Sequence, residues 1–393
     1  RGLGDVYKRQ AFMLLVYHIF MKKFKVGILG ATGMVGQRFV SLLENHPWFE
    51  VEILAASKNS AGKTYEQALS SRWAMKGSIP QSLKNKVVFD AVADFKKITK
   101  EVNFVFCAVD MKKEDIVNLE ESYARENCPV ISNNSACRLF PDVPMILPEI
   151  NPEHSEIIKA QRKRLGVEKG FIAVKPNCSL QCYVPAIHPL MDLGVEKVLA
   201  CTYQAISGAG KTFSSWPEMQ DNLIPFISGE EEKSELEPLK IWGKIDGDKI
   251  QNAAYPSITT QCLRVPISDG HTAAVYISLK EKTSLDEIIA RWQNYKGLPQ
   301  ILKLPSSPKQ FLNYFKESDR PQIKLDRDLE NGMGISLGRL RADKQYNFKF
   351  VSMSHNTIRG AAGGAILMAE LLCTQGYICL LYTSDAADDT PCV

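Results

Sequence analysis

Residues 25–43 read KVGILGATGMVGQRFVSLL, and the fold is decided by how this stretch is read. Lys25 to Gly30 is a short apolar run that exits into glycine, the pattern of a buried strand. From Thr32 to Leu43 the apolar residues recur at helical spacing. Gly30, Gly33 and Gly36 punctuate the turn between them. A strand passing through such a turn into a helix lets the backbone approach a pyrophosphate while the first helix N–H groups face it. That context makes the glycine triplet a candidate dinucleotide loop rather than a plain tight turn. Thr32, Met34 and Val35 lie between the glycines and are counted with them as cofactor contacts.

Outward from this loop strand and helix alternate. Val51–Ala56 (VEILAA), Val102–Val109 (VNFVFCAV) and Pro129–Ser132 read as strands, and Lys112–Asn127 reads as a helix. The alternation predicts a parallel sheet covered by helices on both faces. The second strand runs out into Ser57-Lys58-Asn59-Ser60, with no carboxylate to hold the ribose hydroxyls of NAD. Hydroxyls and a cation at Ser57, Lys58 and Ser60 suit a 2′-phosphate, so NADP is the expected cofactor.

From Asn151 onward the strand candidates follow one another: Phe171–Lys175, Lys197–Ile206, Ile258–Ser268, His271–Lys280 and Phe348–Met353. Ser284 and Glu287 are spaced as a capping box before a helix at Leu285–Tyr295. GEEEKSELEPL at Gly229–Leu239 is the most polar region and reads as a helix or lid. A small-residue-rich helix is expected over Arg359–Leu372. The fold class is therefore α/β. A Rossmann-type NADP-binding domain spans 22–150 and is completed by a C-terminal helix at 357–373. An α+β catalytic and dimerisation domain with a mixed sheet spans 151–356.

Length and composition bound the function. The chain has 393 residues, enough for two domains, and is 45% hydrophobic and 23% charged, as globular proteins are. A net charge of +4 gives no concentrated basic patch, so no nucleic-acid partner is expected. The apolar run Ala11–Met21 is too short to cross a membrane, which needs about 20 residues. The ten cysteines show no metal spacing, so no metal is expected; their scatter suits a reducing, cytoplasmic compartment. Residues 1–20 and 379–393 carry no core pattern and read as non-native tails, with Met21 as a natural start.

The chemistry centres on KPNCSL at Lys175–Leu180. Cys178 follows a strand and Ser179 opens a helix, a position where the helix dipole is expected to lower a thiol pKa. Gln204 lies in TYQAISGAGK, a strand that ends in another glycine-rich turn; Arg264 and His271 lie in RVPISDGH. A thiol, an imidazole and a guanidinium on neighbouring strand ends make a covalent-catalysis site able to bind a carboxylate.

Together these motifs resemble the aspartate-semialdehyde dehydrogenase family, in the branch found in archaea and fungi. GATGMVGQRF, ASKNSAGK, SNNSACR, PNCS, QAISGAG, NLIPFISGEEEK, RVPISDGH and NTIRGAAGG carry the resemblance, in order, from about Lys22 to Leu372. It implies NADPH-dependent reduction of aspartyl phosphate to aspartate semialdehyde and phosphate, within lysine, threonine, methionine and isoleucine biosynthesis. It implies that Cys178 attacks the acyl phosphate to form a thioester. His271 would be the acid/base group and Gln204 would orient the adduct. Arg264 would pair with the α-carboxylate. Glu230, or its neighbour Glu231, would meet the α-amino group, and Lys233 the phosphate. Arg138, with Asn133 and Asn134, would complete the phosphate site, and Asn177 joins the substrate-binding set. Ser207, Gly208 and Asn356 would contact the cofactor. A homodimer or homotetramer is implied as well. Many relatives have arginine where this chain has Asn59, which leaves Lys58 to carry the charge for a 2′-phosphate. The alternatives are another acyl-phosphate or acyl-CoA reductase, such as a malonyl-CoA reductase, in which Glu230 would be idle, or a non-catalytic nucleotide-binding relative, which would lack Cys178 or His271.

Overall fold

The computed structural model describes residues 22–380. The predicted non-native tails lie outside this range, except for Cys379 and Leu380. The chain divides into two compact units, one holding residues 22–136, 161–173 and 368–380 and the other 137–160 and 174–367. The chain thus passes between units more often than the sequence pattern suggests, with 137–160 joining the second unit and 161–173 returning to the first.

The first unit is built on β1 (Phe24–Leu29), α1 (Met34–Leu43), β2 (Phe49–Ala56), β3 (Phe89–Asp90), β4 (Phe104–Cys107), α2 (Lys113–Arg125), β5 (Val130–Ser132) and β6 (Ile172–Val174). The strands form one sheet in the order β3-β2-β1-β4-β5-β6. The pairs β1–β2, β1–β4, β2–β3 and β4–β5 are all parallel. The chain moves outward from β1 to β3 and then returns to β4 on the other side of β1. Doubly wound sheets bind ligands where the order reverses, and the 30–36 loop leaves β1 at that point. The strand at 172–174, read from sequence as part of the second region, is the sixth strand of this sheet. Both β1 and β4 are buried on two faces, which explains their unbroken apolar runs. Phe39 of α1 stacks on Phe106 at 4.6 Å, and Phe104 lies edge-on to Phe106 at 5.1 Å.

The second unit continues with α3 (Leu180–Ile187), β7 (Val195–Gln204), α4 (Glu230–Ile241), the hairpin β8 (Lys244–Asp246) and β9 (Lys249–Gln251), then β10 (Ser257–Arg264) and β11 (His271–Leu279). It ends with α5 (Leu285–Asn294), β12 (Leu312–Phe315), β13 (Ile335–Ala342), β14 (Phe348–Ser354) and the first turn of α6 (Gly363–Thr374). Its main sheet runs β10-β7-β11-β14-β13-β12. β10–β7 and β12–β13 pair parallel, whereas β7–β11, β11–β14 and β13–β14 pair antiparallel. This is the mixed sheet expected. Helix α3 lies against β11, β13 and β14, and α5 lies against β12 and β13. Trp292 of α5 is fully buried and donates from Nε1 to the Ala186 carbonyl at 2.7 Å.

Local signals decided most boundaries, with instructive exceptions. Ser284 accepts the Glu287 N–H at 3.1 Å, but the reciprocal half of the predicted capping box is not formed. The Glu287 carboxylate instead takes the Thr283 hydroxyl at 2.7 Å and pairs with Arg291 at 3.2 Å. The C-terminal helix begins at Gly363, after a π-helical turn at Ile358–Ala362 in which Ala361 leaves helical geometry.

Candidate active site

The loop that carries Cys178, residues 175–179, is fixed by groups that receive or donate its backbone and amide hydrogen bonds. The Asn177 N–H donates to Glu237 Oε2 at 2.7 Å, its Nδ2 donates to Glu230 Oε1 at 2.8 Å, and its Oδ1 accepts the Ser179 N–H at 3.2 Å. On the opposite side Gly360 packs so closely that a Cβ there would come 2.8 Å from Cys178 Cβ. Arg359, the residue before it, is wholly buried and pairs with the equally buried Glu149 through Nη1 at 2.7 Å and Nη2 at 2.5 Å. Its Nε also donates to Gln181 of α3 at 3.2 Å. The cysteine is therefore clamped between the loop's own hydrogen bonds and a backbone held by a buried ion pair.

Cys178 Sγ faces His271 Nε2 at 3.4 Å. His271 opens β11 and is fully buried. Its Nδ1 accepts the Ala205 N–H at 3.1 Å, at the end of β7. Gly208 covers the ring: a Cβ there would stand 3.2 Å from Nε2 and 2.9 Å from Arg264 Nη1. Arg264 ends β10 and donates through Nη1 to the Ala205 carbonyl at 2.7 Å. Three adjacent strand ends thus deliver Gln204, Arg264 and His271 to one place, because β10–β7–β11 are neighbours in register.

Helix α4 supplies the carboxylates. Glu230, its first residue, accepts at Oε1 from both Asn177 Nδ2 and Gln204 Nε2, the latter at 3.1 Å, and faces Lys233 at 3.5 Å. Glu231 turns the other way, accepting the Cys262 N–H at 3.1 Å and Gln261 Nε2 at 2.9 Å on β10. Of the two glutamates, Glu230 is the one beside the cysteine. Glu237 lies two turns further along the same face and pairs with Arg138 at 2.9 Å. Lys240 donates to the carbonyls of Arg138, Phe140 and Val143 at 2.7, 2.6 and 2.8 Å, fixing the segment that carries Arg138.

Electrostatically the site differs from the expectation of a thiol lowered by a helix dipole. Burial raises the Cys178 pKa, and Glu230 adds to the rise; Lys175, Arg138 and Arg264 pull against it. Burial and then the Arg264 charge lower His271 to about 3, so its ring is neutral near pH 7. The helix after Cys178 is only eight residues long, and Ser179 makes no capping bond at its start. Burial, not the helix, dominates.

The remaining expected residues are placed as follows. Asn356 donates to Ser207 Oγ at 2.9 Å and accepts the Gly270 N–H at 2.8 Å, bracing the two turns beside His271. Asn133 and Asn134 are in the first unit, where Asn134 Nδ2 donates to Glu120 at 3.1 Å. In the glycine loop, a Cβ on Gly30 would stand 2.3 Å from the Ala108 carbonyl oxygen, and one on Gly36 would stand 2.1 Å from the Gly30 oxygen. Gly33 differs, since its Cβ would meet only the Gly30 oxygen, at 3.4 Å. Helix α1 starts there with no side-chain cap and no acidic residue in its first turn, leaving its leading N–H groups for an anion. Beyond β2, Ser57 and Lys58 are exposed while Ser60 is buried, its N–H bonded to the Ser57 carbonyl at 2.9 Å. Among the described residues there is no cluster that could hold a metal ion, and no helix is long and apolar enough to cross a membrane. The sequence reading missed Glu149, Lys175, Glu237, Lys240 and Arg359. Only Glu237 carried a sequence signal, its seven-residue spacing from Glu230.

Two family models match the chain: the NAD-binding domain of semialdehyde dehydrogenases over residues 25–158, and their dimerisation domain over residues 187–359. The aspartate-semialdehyde dehydrogenase of Archaeoglobus fulgidus is 41% identical over 356 residues, covering 91% of this chain and 100% of that protein. The enzyme of the same name from Methanothermobacter thermautotrophicus is 40% identical, covering 88% and 98%. Among solved structures, the aspartate semialdehyde dehydrogenase of Candida albicans with NADP matches with a TM-score of 0.82 at 35% identity, covering 91% of this chain and 100% of that one.

The buried Arg359–Glu149 pair gives a stability test. Removing one partner of such a pair leaves an uncompensated charge and costs about 3–5 kcal/mol. Glu149→Ala should lower the unfolding free energy by that amount in urea titrations. A loss below about 1 kcal/mol would show that the guanidinium finds other partners.

Proposed function

The chain belongs to the aspartate-semialdehyde dehydrogenase family, and from that premise we propose that Cys178 carries an NADPH-dependent reduction of aspartyl phosphate to aspartate semialdehyde through a thioester. The observation that supports this reading most is the 3.4 Å approach of Cys178 Sγ to His271 Nε2, within a pocket that holds Arg264, Glu230 and Gln204.

Sγ attacks the acyl carbon of the phosphorylated side chain, the C–O bond to phosphate breaks, and phosphate leaves. When bound, NADPH would supply the hydride that reduces the resulting thioester; the C–S bond then breaks, releasing the semialdehyde and returning the Cys178 thiolate. His271 holds its proton on Nε2, the nitrogen that faces the reacting centre, and donates it to the negative charge that develops there. The Arg264 fork binds the α-carboxylate, and the Glu230 carboxylate binds the α-ammonium. Gln204 and Asn177 hold Glu230 in place. Arg138 and Lys233 take the phosphate. The alternative as a malonyl-CoA reductase has no amine for Glu230 to meet, and here Glu230 is a built, buried carboxylate with two amide donors.

The first unit's loop fits a dinucleotide. Gly30 and Gly36 are required by the unit's own packing, while Gly33 has no such internal reason, so its bare backbone suits close approach by a pyrophosphate. Thr32, Met34 and Val35 frame that approach. Ser57, Lys58 and Ser60 are proposed to meet the 2′-phosphate. Residues 22–150 with the C-terminal helix are proposed as the cofactor domain and 151–356 as the catalytic one.

We further propose a cytoplasmic homodimer. Among the described residues the thiols of Cys107, Cys128, Cys178, Cys182, Cys201, Cys262 and Cys373 are free, which suits a reducing compartment, while Cys379 is disulfide-bonded. The second sheet leaves Leu199, Cys201, Tyr203, Ala274, Tyr276 and Val351 partly exposed on one face, within the segment matched by a dimerisation domain.

Three outcomes are expected. Cys178→Ala should cut phosphate-dependent oxidation of aspartate semialdehyde by more than about a thousandfold, about 4 kcal/mol, while NADP binding by fluorescence titration persists; greater residual turnover would sink the covalent route. Lys58→Ala should lower kcat/KM with NADP about tenfold, about 1.4 kcal/mol, and leave the NAD value nearly unchanged. Equal losses with both cofactors would mean that this loop does not read the 2′-phosphate. Tyr203→Glu should convert a sedimenting dimer to monomer, since a carboxylate would be buried unpaired in the sheet face. A wild-type chain that sediments as a monomer would overturn the interface.

A further inference from the structure

A thiol that burial has made harder to ionise needs positive charge beside it, and the imidazole does not supply that charge. His271 Nδ1 accepts the Ala205 N–H, so it carries no proton, and the neutral ring must carry its proton on Nε2, towards Sγ. An imidazolium would set a second N–H against that of Ala205. The other groups that face Cys178 are Glu230, which opposes ionisation, and Lys175, Arg138 and Arg264, which favour it. Arg138 is committed to Glu237 at 2.9 Å. Arg264 bonds the Ala205 carbonyl and also faces the negative charge of Glu230.

Lys175 differs from both arginines. It stands three residues before Cys178 on the same loop and is 3% exposed. Its ammonium donates to the Pro176 carbonyl, and its stem runs past Gly364, where a Cβ would lie 3.4 Å from Cδ. Among the described residues it has no ion-pair partner. A lysine buried without a carboxylate is costly, and no packing argument requires an ammonium at this place. We propose that Lys175 is a positioning residue for the nucleophile, a buried ammonium that offsets the charge of the Cys178 thiolate while neutral His271 donates to it from Nε2. This rests on Cys178 being the nucleophile. Ionisation releases the Sγ proton to solvent and leaves an ammonium–thiolate pair on one short loop. Burial, then the Arg138 charge, brings Lys175 down to about 7; Cys178 and Glu237 work against that shift and Arg359 adds to it. Each charge favours the other: Cys178 raises the Lys175 pKa and Lys175 lowers that of Cys178.

The test is iodoacetamide alkylation of the full chain from about pH 6 to 9, read by mass spectrometry on the peptide that carries Cys178. Free glutathione alkylated in the same reaction serves as reference. Lys175→Met should slow Cys178 alkylation at neutral pH by about tenfold relative to glutathione and move its midpoint upward. A folded Lys175→Met chain whose Cys178 profile overlays the wild type would overturn the proposal. Should that variant fail to fold, the reciprocal measurement decides. In Cys178→Ser, the Lys175 ammonium followed by carbon-13 NMR should lose its proton at lower pH than in the wild type. An unchanged midpoint would equally overturn it. The nucleophile reading fails separately, by turnover in Cys178→Ala whatever Lys175 does.

Discussion

The bidentate pair between Arg359 and Glu149 is the constraint on which the site rests. Both side chains are fully buried, so neither can turn to water for compensation, and the geometry must satisfy both. Around it the fold supplies what a buried pair requires. Gln181 takes the third guanidinium nitrogen, and the Phe311 ring lies 4.8 Å from the guanidinium carbon. The Tyr295 hydroxyl bonds the Glu149 carbonyl at 2.5 Å, and Gly297 approaches so closely that a Cβ there would lie 2.6 Å from Glu149 Cα. Because Gly360 follows Arg359 directly, fixing the pair fixes the backbone against which Cys178 packs.

Beyond that clamp, each carboxylate near the nucleophile does two jobs. Glu237 holds Arg138 with one oxygen and the Asn177 N–H with the other, so the same group that places a cation also sets the loop before Cys178. Glu230 collects two amide donors while raising the thiol's pKa. The proposed binding of an ammonium requires such a carboxylate, and the carboxylate makes thiolate formation harder. The three cations facing Cys178 are the counterweight, and the neutral histidine leaves that task to them.

How much of this was legible in the sequence depended on range. The glycine loop, the β2 exit and the strand ends carrying Gln204, Arg264 and His271 were readable because each lies in a short motif whose signal is local along the chain. The strand at 172–174 was misplaced because apolar character says nothing about which sheet receives it. Glu149 and Arg359 are 210 positions apart, and each alone reads as an ordinary surface charge. Lys175 was passed over for the same reason: beside a proline and an asparagine a lysine reads as solvated, and only the packed structure shows it buried. Asn356 was read by resemblance as a cofactor contact. In the structure its amide joins Ser207 to Gly270, beside His271.

The three glycines of the first loop show how structure sorts residues that sequence cannot. As letters they are equivalent. As positions they are not, because Gly30 is excluded from alternatives by the Ala108 carbonyl and a φ of +85°, and Gly36 by the backbone of β1's own exit. Those two would be required in any protein that turned this sharply from strand to helix, whatever it bound. Gly33 has ordinary space and ordinary φ, so the fold itself would tolerate a side chain there. Its bare backbone sits at the uncapped start of α1, where a phosphate would be drawn, so of the three it is the glycine whose space the fold leaves open to the proposed cofactor.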